Sequence, residues 1–319
     1  AVFPNAVLYV KIYFGGIFSV ILFNTASGIF QAVGDSKRPL YFLIVSSILN
    51  VILDLLFVAV FDYGVAGAAI ATIISQSASV VLAFYYLSRT NDIYKVSFKK
   101  ISIDPHFLKE ILHLGIPSGI QNSVIALANI VGQSNINFFG DAAVAGCGAY
   151  SKIEGFTFIP ITSFALAMTT FISQNLGAKE YERAKKGSYF GIAASLILAE
   201  LVGEVFYIFA PQLISIFNSE PDVVAYGTLQ AHTIALFYFL LAFSHCLAGI
   251  LRGAGKSVIP MIVMFMCWCV IRVTYVTIAT NYIPNIKVVF WAYPLTWTLS
   301  SIIFLVYYIK SNWIHGLDS

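Results

Sequence analysis

Long apolar runs follow one another along the chain, separated by short segments rich in glycine, proline and charged residues. Six runs contain no charged residue, and each exceeds the ~20 residues that a helix needs to cross a bilayer; they are residues 12–34, 63–88, 114–140, 155–178, 223–251 and 288–309. Three more are interrupted only by isolated acids or bases; they are residues 40–61 with Asp54, residues 187–217 with Glu200 and Glu204, and residues 257–283 with Arg272. A membrane β-barrel instead requires alternating segments of ~10 residues. The pattern therefore predicts nine transmembrane helices and an all-α membrane protein.

Composition agrees with this fold class, because 59% of the residues are apolar and only 10% are charged, and the mean hydropathy is +0.84. These values lie outside the range of soluble domains. Fourteen of the 18 lysines and arginines fall in loops on one side of the predicted topology. By the positive-inside rule, that side and the C-terminus are cytoplasmic. Topology accounts for the basic loops, so we expect no nucleic-acid partner. The four cysteines lack the spacing of a metal site or a disulfide framework.

A twelve-residue motif occurs twice. GIFQAVGDSKRP, residues 28–39, returns as GILRGAGKSVIP, residues 249–260, with five identical positions at a constant offset of 221. Six predicted crossings lie between the copies, so both run in the same direction, which defines a parallel repeat about an axis along the membrane normal. Each copy predicts the end of one helix and the start of the next, at Gly34 and Pro39 in the first copy and at Gly255 and Pro260 in the second.

Three predicted helices precede the second copy and have no counterpart before the first, and the chain begins with alanine. We therefore expect roughly 110 to 130 further residues, or three helices, ahead of residue 1 in the intact protein. That protein would have twelve crossings in two lobes of six helices. In this scheme residues 1–88 are a partial N-lobe, residues 89–110 a basic cytoplasmic linker and residues 111–319 the complete C-lobe.

Ionisable residues inside a membrane helix cost about 2.5 to 3.5 kcal/mol on insertion scales and mark functional sites. Asp54 follows Asn50 by four residues, which puts both on one face of a helix. Counted from the loop ends, Asn24 and Thr72 lie at similar depths of ~15 to 25 Å on neighbouring helices. A carboxylate with amide and hydroxyl oxygens suits Na⁺ or a proton. The alternative is an interhelical hydrogen-bond network that Asp54 completes. The second repeat has Tyr275 in place of Asp54, so the fold alone does not require the acid.

The C-lobe offers secondary candidates. Glu154, Glu200, Glu204 and Arg272 all fall on predicted membrane helices. Opposite charges in hydrocarbon tend to pair. We therefore expect Arg272 to lie near one of the three acids, with Glu154 or Glu200 forming a structural ion pair with it in preference to a role in transport.

Four stretches carry a family resemblance. They are the GIFQAVGDSKRP turn, NVILDLLFVAVFDYGVAGAAIATIIS from Asn50 to Ser75, LGIPSGIQ from Leu114 to Gln121 and FISQNLGAKEYERAKKG from Phe171 to Gly187. With them the chain resembles the multidrug and toxic compound extrusion (MATE) transporters, in a prokaryotic form that lacks its first three helices. The resemblance implies two six-helix lobes around a central cavity. It also implies a cation site at Asn24, Asn50, Asp54 and Thr72.

The resulting expectation is a Na⁺- or H⁺-coupled antiporter that exports drugs or organic metabolites, mainly cationic ones, by alternating access. It would be a monomer in the cytoplasmic membrane of a prokaryote, in contact with lipid. We expect no catalytic residues, no cofactor and no metal apart from Na⁺ at Asp54. A lipid-linked saccharide flippase of the same superfamily and an inactive fragment are the alternatives.

Overall fold

The computed structural model describes residues 2–317, and in this range the chain forms helices and turns without a β-strand. Helices long and apolar enough to cross a membrane number eight, and a bent helix pair at the start makes a ninth. The predicted all-α membrane fold is therefore confirmed. The chain divides into two compact units, Ala1–Ile103 and Asp104–Ser319.

The first unit contains four helices and a π-helical segment. They are α1 (Val2–Gly15), α2 (Ile17–Ala32), α3 (Lys37–Asp54), the π segment Leu55–Val60 and α4 (Gly64–Arg89). The first predicted crossing is the pair α1 and α2, which are bent by 51°. Gly16 lies at the bend, where a Cβ atom would overlap the side chain of Ile73 on α4. The bend thus allows a close approach to α4, against which α1, α2 and α3 all pack.

The second unit contains nine helices, several of them parts of one crossing. They are α5 (Pro105–Ile136), α6 (Asp141–Gly177), α7 (Tyr181–Ile208), α8 (Ala210–Ser215), α9 (Pro221–Ile234), α10 (Tyr238–Gly253), α11 (Val258–Met264), α12 (Arg272–Tyr282) and α13 (Ile286–Lys310). A 3₁₀ turn, Ala235–Phe237, joins α9 to α10, and a π segment, Phe265–Ile271, joins α11 to α12. The large hydrophobic core of this unit includes Tyr150, Tyr238 and Trp297.

The repeated motif forms the same turn in both units. Gly34 has φ 81° and Gly255 has φ 76°. In the first copy the amide of Gly34 donates to Gln31 O at 3.0 Å and that of Asp35 donates to Phe30 O at 2.9 Å. At an offset of 221, the second copy repeats both bonds, at 3.0 and 2.9 Å. This is the Schellman motif, in which a left-handed glycine satisfies the last carbonyls of a helix. The predicted helix ends at the two glycines are confirmed.

Glycine also sets the distance between α6 and α10. A Cβ atom on Gly249 or Gly253 would collide with the backbone carbonyls of Ala165 and Thr169 on α6. The hydroxyl of Thr169 donates to Gly249 O at 3.0 Å. Small residues let membrane helices approach closely and replace the hydrophobic driving force that lipid removes. A Cβ atom added to Gly28, the repeat counterpart of Gly249, would meet no atom within 4 Å.

The predicted linker, residues 89–110, is divided between the two units. Its first part folds back on α4, because the amide of Val96 donates to Leu87 O at 3.0 Å. The guanidinium of Arg38 donates to the Tyr94 hydroxyl at 2.9 Å and pairs with Asp35 at 2.6 Å. The boundary between the units falls after Ile103. The predicted cytoplasmic C-terminus ends at residues 318 and 319, which lie outside the described residues.

We expect Gly255→Ala to destabilise the second unit by about 1 to 2 kcal/mol, because an L-residue is strained at positive φ. Thermal unfolding of the purified protein in detergent measures the change. Gly115→Ala is the control, since a Cβ atom there meets nothing within 4 Å and alanine favours a helix. Equal unfolding midpoints for wild type and Gly255→Ala would contradict the role of the turn.

Gly28 and Gly249 occupy the same position in the two copies of the motif. Together they supply a second, internally matched test. Gly249→Ala should destabilise the protein by about 1 to 3 kcal/mol, as expected when a packed core is overfilled. Gly28→Ala adds the same methyl group where there is space for it and should be neutral or slightly stabilising. The same thermal assay compares them, and an equal response from both variants would show that the α6–α10 contact is more compliant than the structure indicates.

Candidate functional site

Asp54 is the last residue of α3 and directly precedes the π segment Leu55–Val60. Its side chain is partly buried, and its Oδ1 is fully shielded from solvent without a hydrogen-bond partner among the described residues. The Nδ2 atom of Asn50, one helical turn earlier, is also shielded from solvent without a hydrogen-bond partner among these residues. Buried polar atoms are nearly always paired in proteins. Asn50 and Asp54 are two such exceptions, one turn apart on the same face of α3.

A hydrogen bond shows which way this face of α3 is turned. The hydroxyl of Ser46 donates to Ser75 O on α4 at 2.6 Å. Ser46, Asn50 and Asp54 are spaced four apart and so share one face, which is directed toward α4. Because α3 and α4 are consecutive and antiparallel, Thr72 lies level with Asn50. The Thr72 hydroxyl donates to Ala68 O on its own helix at 2.9 Å, which leaves its lone pairs available.

Asn24 on α2 lies at a different level. Ser19 and Ser77 share a hydrogen bond of 2.8 Å between α2 and α4, and Gly16 packs on Ile73. These contacts align the two helices so that Asn24 lies about nine residues, ~14 Å, nearer the Gly34 turn than Thr72. Its side chain is exposed. Depth counted from loop ends does not reveal this offset, because the helices do not end level with one another.

Sequence reasoning overlooked two features of this unit. The Ser27 hydroxyl on α2 is a third buried polar atom without a hydrogen-bond partner among the described residues. Its position one turn from Asn24 was a usable signal. The π segment after Asp54 has no comparable sequence signature, although such segments are common at functional sites.

The second unit places Arg272 at the first residue of α12, directly after its π segment. The guanidinium is buried and donates to the Thr296 hydroxyl from Nε at 3.2 Å and from Nη2 at 2.9 Å. It also lies 4.5 Å from the ring centre of Tyr293 and 5.6 Å from that of Trp268. The expected direct ion pair is wrong within the described residues, where the buried hydroxyl and the aromatic faces take its place. Glu154 lines the same cavity as Arg272 and interacts with it electrostatically at longer range.

Glu200 and Glu204 on α7 are not partners of Arg272. Glu200 is partly buried, and its Oε2 is shielded from solvent without a hydrogen-bond partner among the described residues. Glu204 is exposed. The expectation that either acid pairs with Arg272 is therefore corrected.

Two family models match the chain. The MatE model matches residues 117–278, just over half of the chain. A model for the lipid II flippase MurJ matches residues 5–130. The two overlap at residues 117–130, within α5.

Individual relatives agree with the first model. The chain is 29% identical over 312 residues to a probable multidrug resistance protein, YpnP, of Bacillus subtilis, covering 97% of this chain and 69% of the relative. It is 27% identical over 281 residues to the probable multidrug resistance protein NorM of Thermotoga maritima, covering 83% of this chain and 60% of the relative.

A solved structure shares the fold. It is an outward-facing multidrug resistance MATE transporter of the MOP superfamily, with a TM-score of 0.90, 23% identity, and coverage of 98% of this chain and 70% of the other. The present chain thus spans about 60 to 70% of the length of these proteins. Helical architecture, repeat and family model agree, and the chain belongs to the MatE family of membrane transporters, whose members are not enzymes.

Proposed function

We propose that the protein exports small organic compounds from a prokaryotic cell by cation-coupled antiport, and that Asp54 is the carboxylate that carries the coupling ion. The observation that carries this proposal is the pair of unpartnered buried atoms, Asp54 Oδ1 and Asn50 Nδ2, on the face of α3 turned to α4. In hydrocarbon an uncompensated carboxylate is costly. Either a proton or a bound cation removes that cost.

The donor set fits both ions. A proton on Asp54 neutralises the carboxylate directly. For Na⁺, oxygen ligands are required, and Asp54 with the Thr72 hydroxyl provides two of them. Rotating the Asn50 amide by 180° exchanges its nitrogen for its oxygen, an assignment that ordinary structures do not fix, and gives a third. Asn24 lies nearer the Gly34 turn and is exposed, so we do not count it among the ligands of the ion.

Alternating access follows from occupancy of this site. When the ion leaves the site, the net charge at the end of α3 changes. This end adjoins the π segment Leu55–Val60, in which the α-helical hydrogen-bond pattern is already altered. A ligand shifts a conformational equilibrium by its difference in affinity for the two states. A cationic drug and the coupling ion would thus be bound in alternation. We place the protein in the cytoplasmic membrane as a monomer surrounded by lipid, with its basic loops and C-terminus inside the cell.

A second candidate function is a lipid-linked saccharide flippase, because the MurJ model matches residues 5–130. The buried orphan pair at Asn50 and Asp54 favours the antiporter, since a flippase for anionic lipid carriers would place bases along its groove. The two functions separate in one experiment, in which proteoliposomes are supplied with either a fluorescent organic cation or a fluorescent lipid-linked saccharide. Gradient-dependent movement of the cation alone supports the antiporter.

We expect Asp54→Asn to abolish gradient-driven export of the organic cation from proteoliposomes, because an amide neither carries a proton nor supplies a formal negative charge. Folding should be preserved, since the amide has the size and hydrogen-bonding capacity of the acid. The assay imposes a Na⁺ gradient and a pH gradient separately and follows the fluorescence of the cation. The gradient that drives export identifies the ion.

Asp62→Asn is the matched control. The substitution is chemically the same as Asp54→Asn, but Asp62 lies eight residues further on, in the exposed connection before α4. Its φ of 54° suits asparagine as well as aspartate. This variant should transport like the wild type. Size-exclusion chromatography of both variants checks folding. Full transport by Asp54→Asn would end the coupling hypothesis and leave Asp54 as an acceptor in a structural network.

A further inference from the structure

A cavity of about 410 Å³ lies inside the second unit, between α5, α6, α9, α12 and α13. Its volume is in the range of small-molecule sites and far exceeds that of a dehydrated ion. Glu154 and Arg272 both line it, together with Gln230 and the aromatic side chains Trp268 and Tyr293. Cation coupling at Asp54 makes no use of this cavity, so the charged residues that line it need a separate explanation.

Arg272 forms the donor pole of the cavity. Arg272 is only 4% exposed. Two of its five N–H groups donate to Thr296, and no direct ion pair to it occurs within residues 2–317. The Tyr293 ring stacks at 4.5 Å and holds the group in place. A buried guanidinium without a carboxylate partner carries a desolvation penalty, which an anionic group bound in the cavity would offset.

Glu154 and Gln230 form the acceptor pole. Glu154 receives one long hydrogen bond of 3.5 Å, from the Tyr150 hydroxyl. Gln230 is 4% exposed, and its Oε1 is shielded from solvent without a hydrogen-bond partner among the described residues. An unpaired buried acceptor costs about 1 to 3 kcal/mol. Both groups can therefore accept a further hydrogen bond, and a protonated amine supplies up to three N–H donors.

We propose that this cavity binds a small organic zwitterion of amino-acid size, with its carboxylate on Arg272, its ammonium group on Glu154 and Gln230, and an apolar or aromatic body against Trp268 and Tyr293. The opposite charges share the cavity without forming a direct pair, so a ligand with both charges can bridge them. A simple cation would be repelled by Arg272 and a simple anion by Glu154. The proposal does not depend on the coupling role of Asp54.

The test measures binding to the purified protein in lipid nanodiscs by isothermal titration calorimetry. L-Phenylalanine is the zwitterionic probe, 2-phenylethylamine lacks the carboxylate and 3-phenylpropionate lacks the ammonium group. We expect saturable binding of L-phenylalanine, with each singly charged analogue at least about tenfold weaker, because each loses charge-assisted hydrogen bonds. Absence of saturable L-phenylalanine binding, or equal binding of the three probes, overturns the proposal.

Variants assign the two poles. Glu154→Gln should remove the preference for L-phenylalanine over 3-phenylpropionate and keep the preference over 2-phenylethylamine. Arg272→Gln should do the reverse. Because Arg272→Gln removes a buried charge and can impair folding, the near-isosteric Glu154→Gln decides the result by itself. Glu204→Gln, an exposed acid on α7, is the matched control and should bind like the wild type. A Glu154→Gln variant that discriminates the probes as the wild type does contradicts the assignment.

Discussion

The structure depends on one constraint: within hydrocarbon, every backbone N–H and C=O group must find a partner inside the protein. Several interruptions of the helices show how that demand is met. The turns at Gly34 and Gly255 satisfy the last carbonyls through a left-handed glycine. In the π segments the backbone hydrogen bonds shift to the i→i+5 pattern, so the backbone groups remain paired. At the break between α9 and α10, a 3₁₀ turn intervenes, in which the amide of Tyr238 donates to Ala235 O. In each of these places, backbone groups find partners within the protein.

Close packing follows from the same medium. Lipid is as apolar as leucine, so apolar area gives helices little reason to associate, and tight contact has to supply the attraction. In the second unit Gly249 and Gly253 bring α10 against the backbone of α6. In the first unit Gly16 does the same for α4, and Ser46 bonds directly to a carbonyl of α4. Close contacts of this kind position the helices that carry Asp54 in the first unit and Glu154 in the second.

The sequence allowed the nine crossings, the two turns and the common face of Asn50 and Asp54 to be predicted, because each rests on local rules of spacing and backbone conformation. The relative level of Asn24 and Thr72 could not be predicted, since it depends on how far each helix extends past its neighbours. The surroundings of Arg272 were missed for a related reason. Charge alone suggested an acid, whereas the packed structure surrounds the guanidinium with Thr296, Tyr293 and Trp268.

Both units combine a π segment with a charged residue, but at different positions of the repeat. In each, the helix after the repeated turn contains a π segment, and a charged residue adjoins it: Asp54 precedes Leu55–Val60, and Arg272 follows Phe265–Ile271. At an offset of 221 the two residues are not equivalent, since Asp54 matches Tyr275. The repeat therefore supplies a helix geometry and leaves the charge to be set independently. In a medium of low dielectric, a bound ion interacts strongly with that charge, and in the two proposals made above its sign sets the ligand of each unit. The acid suits a cation, and the base, with Glu154 across the cavity, suits a molecule that carries both charges.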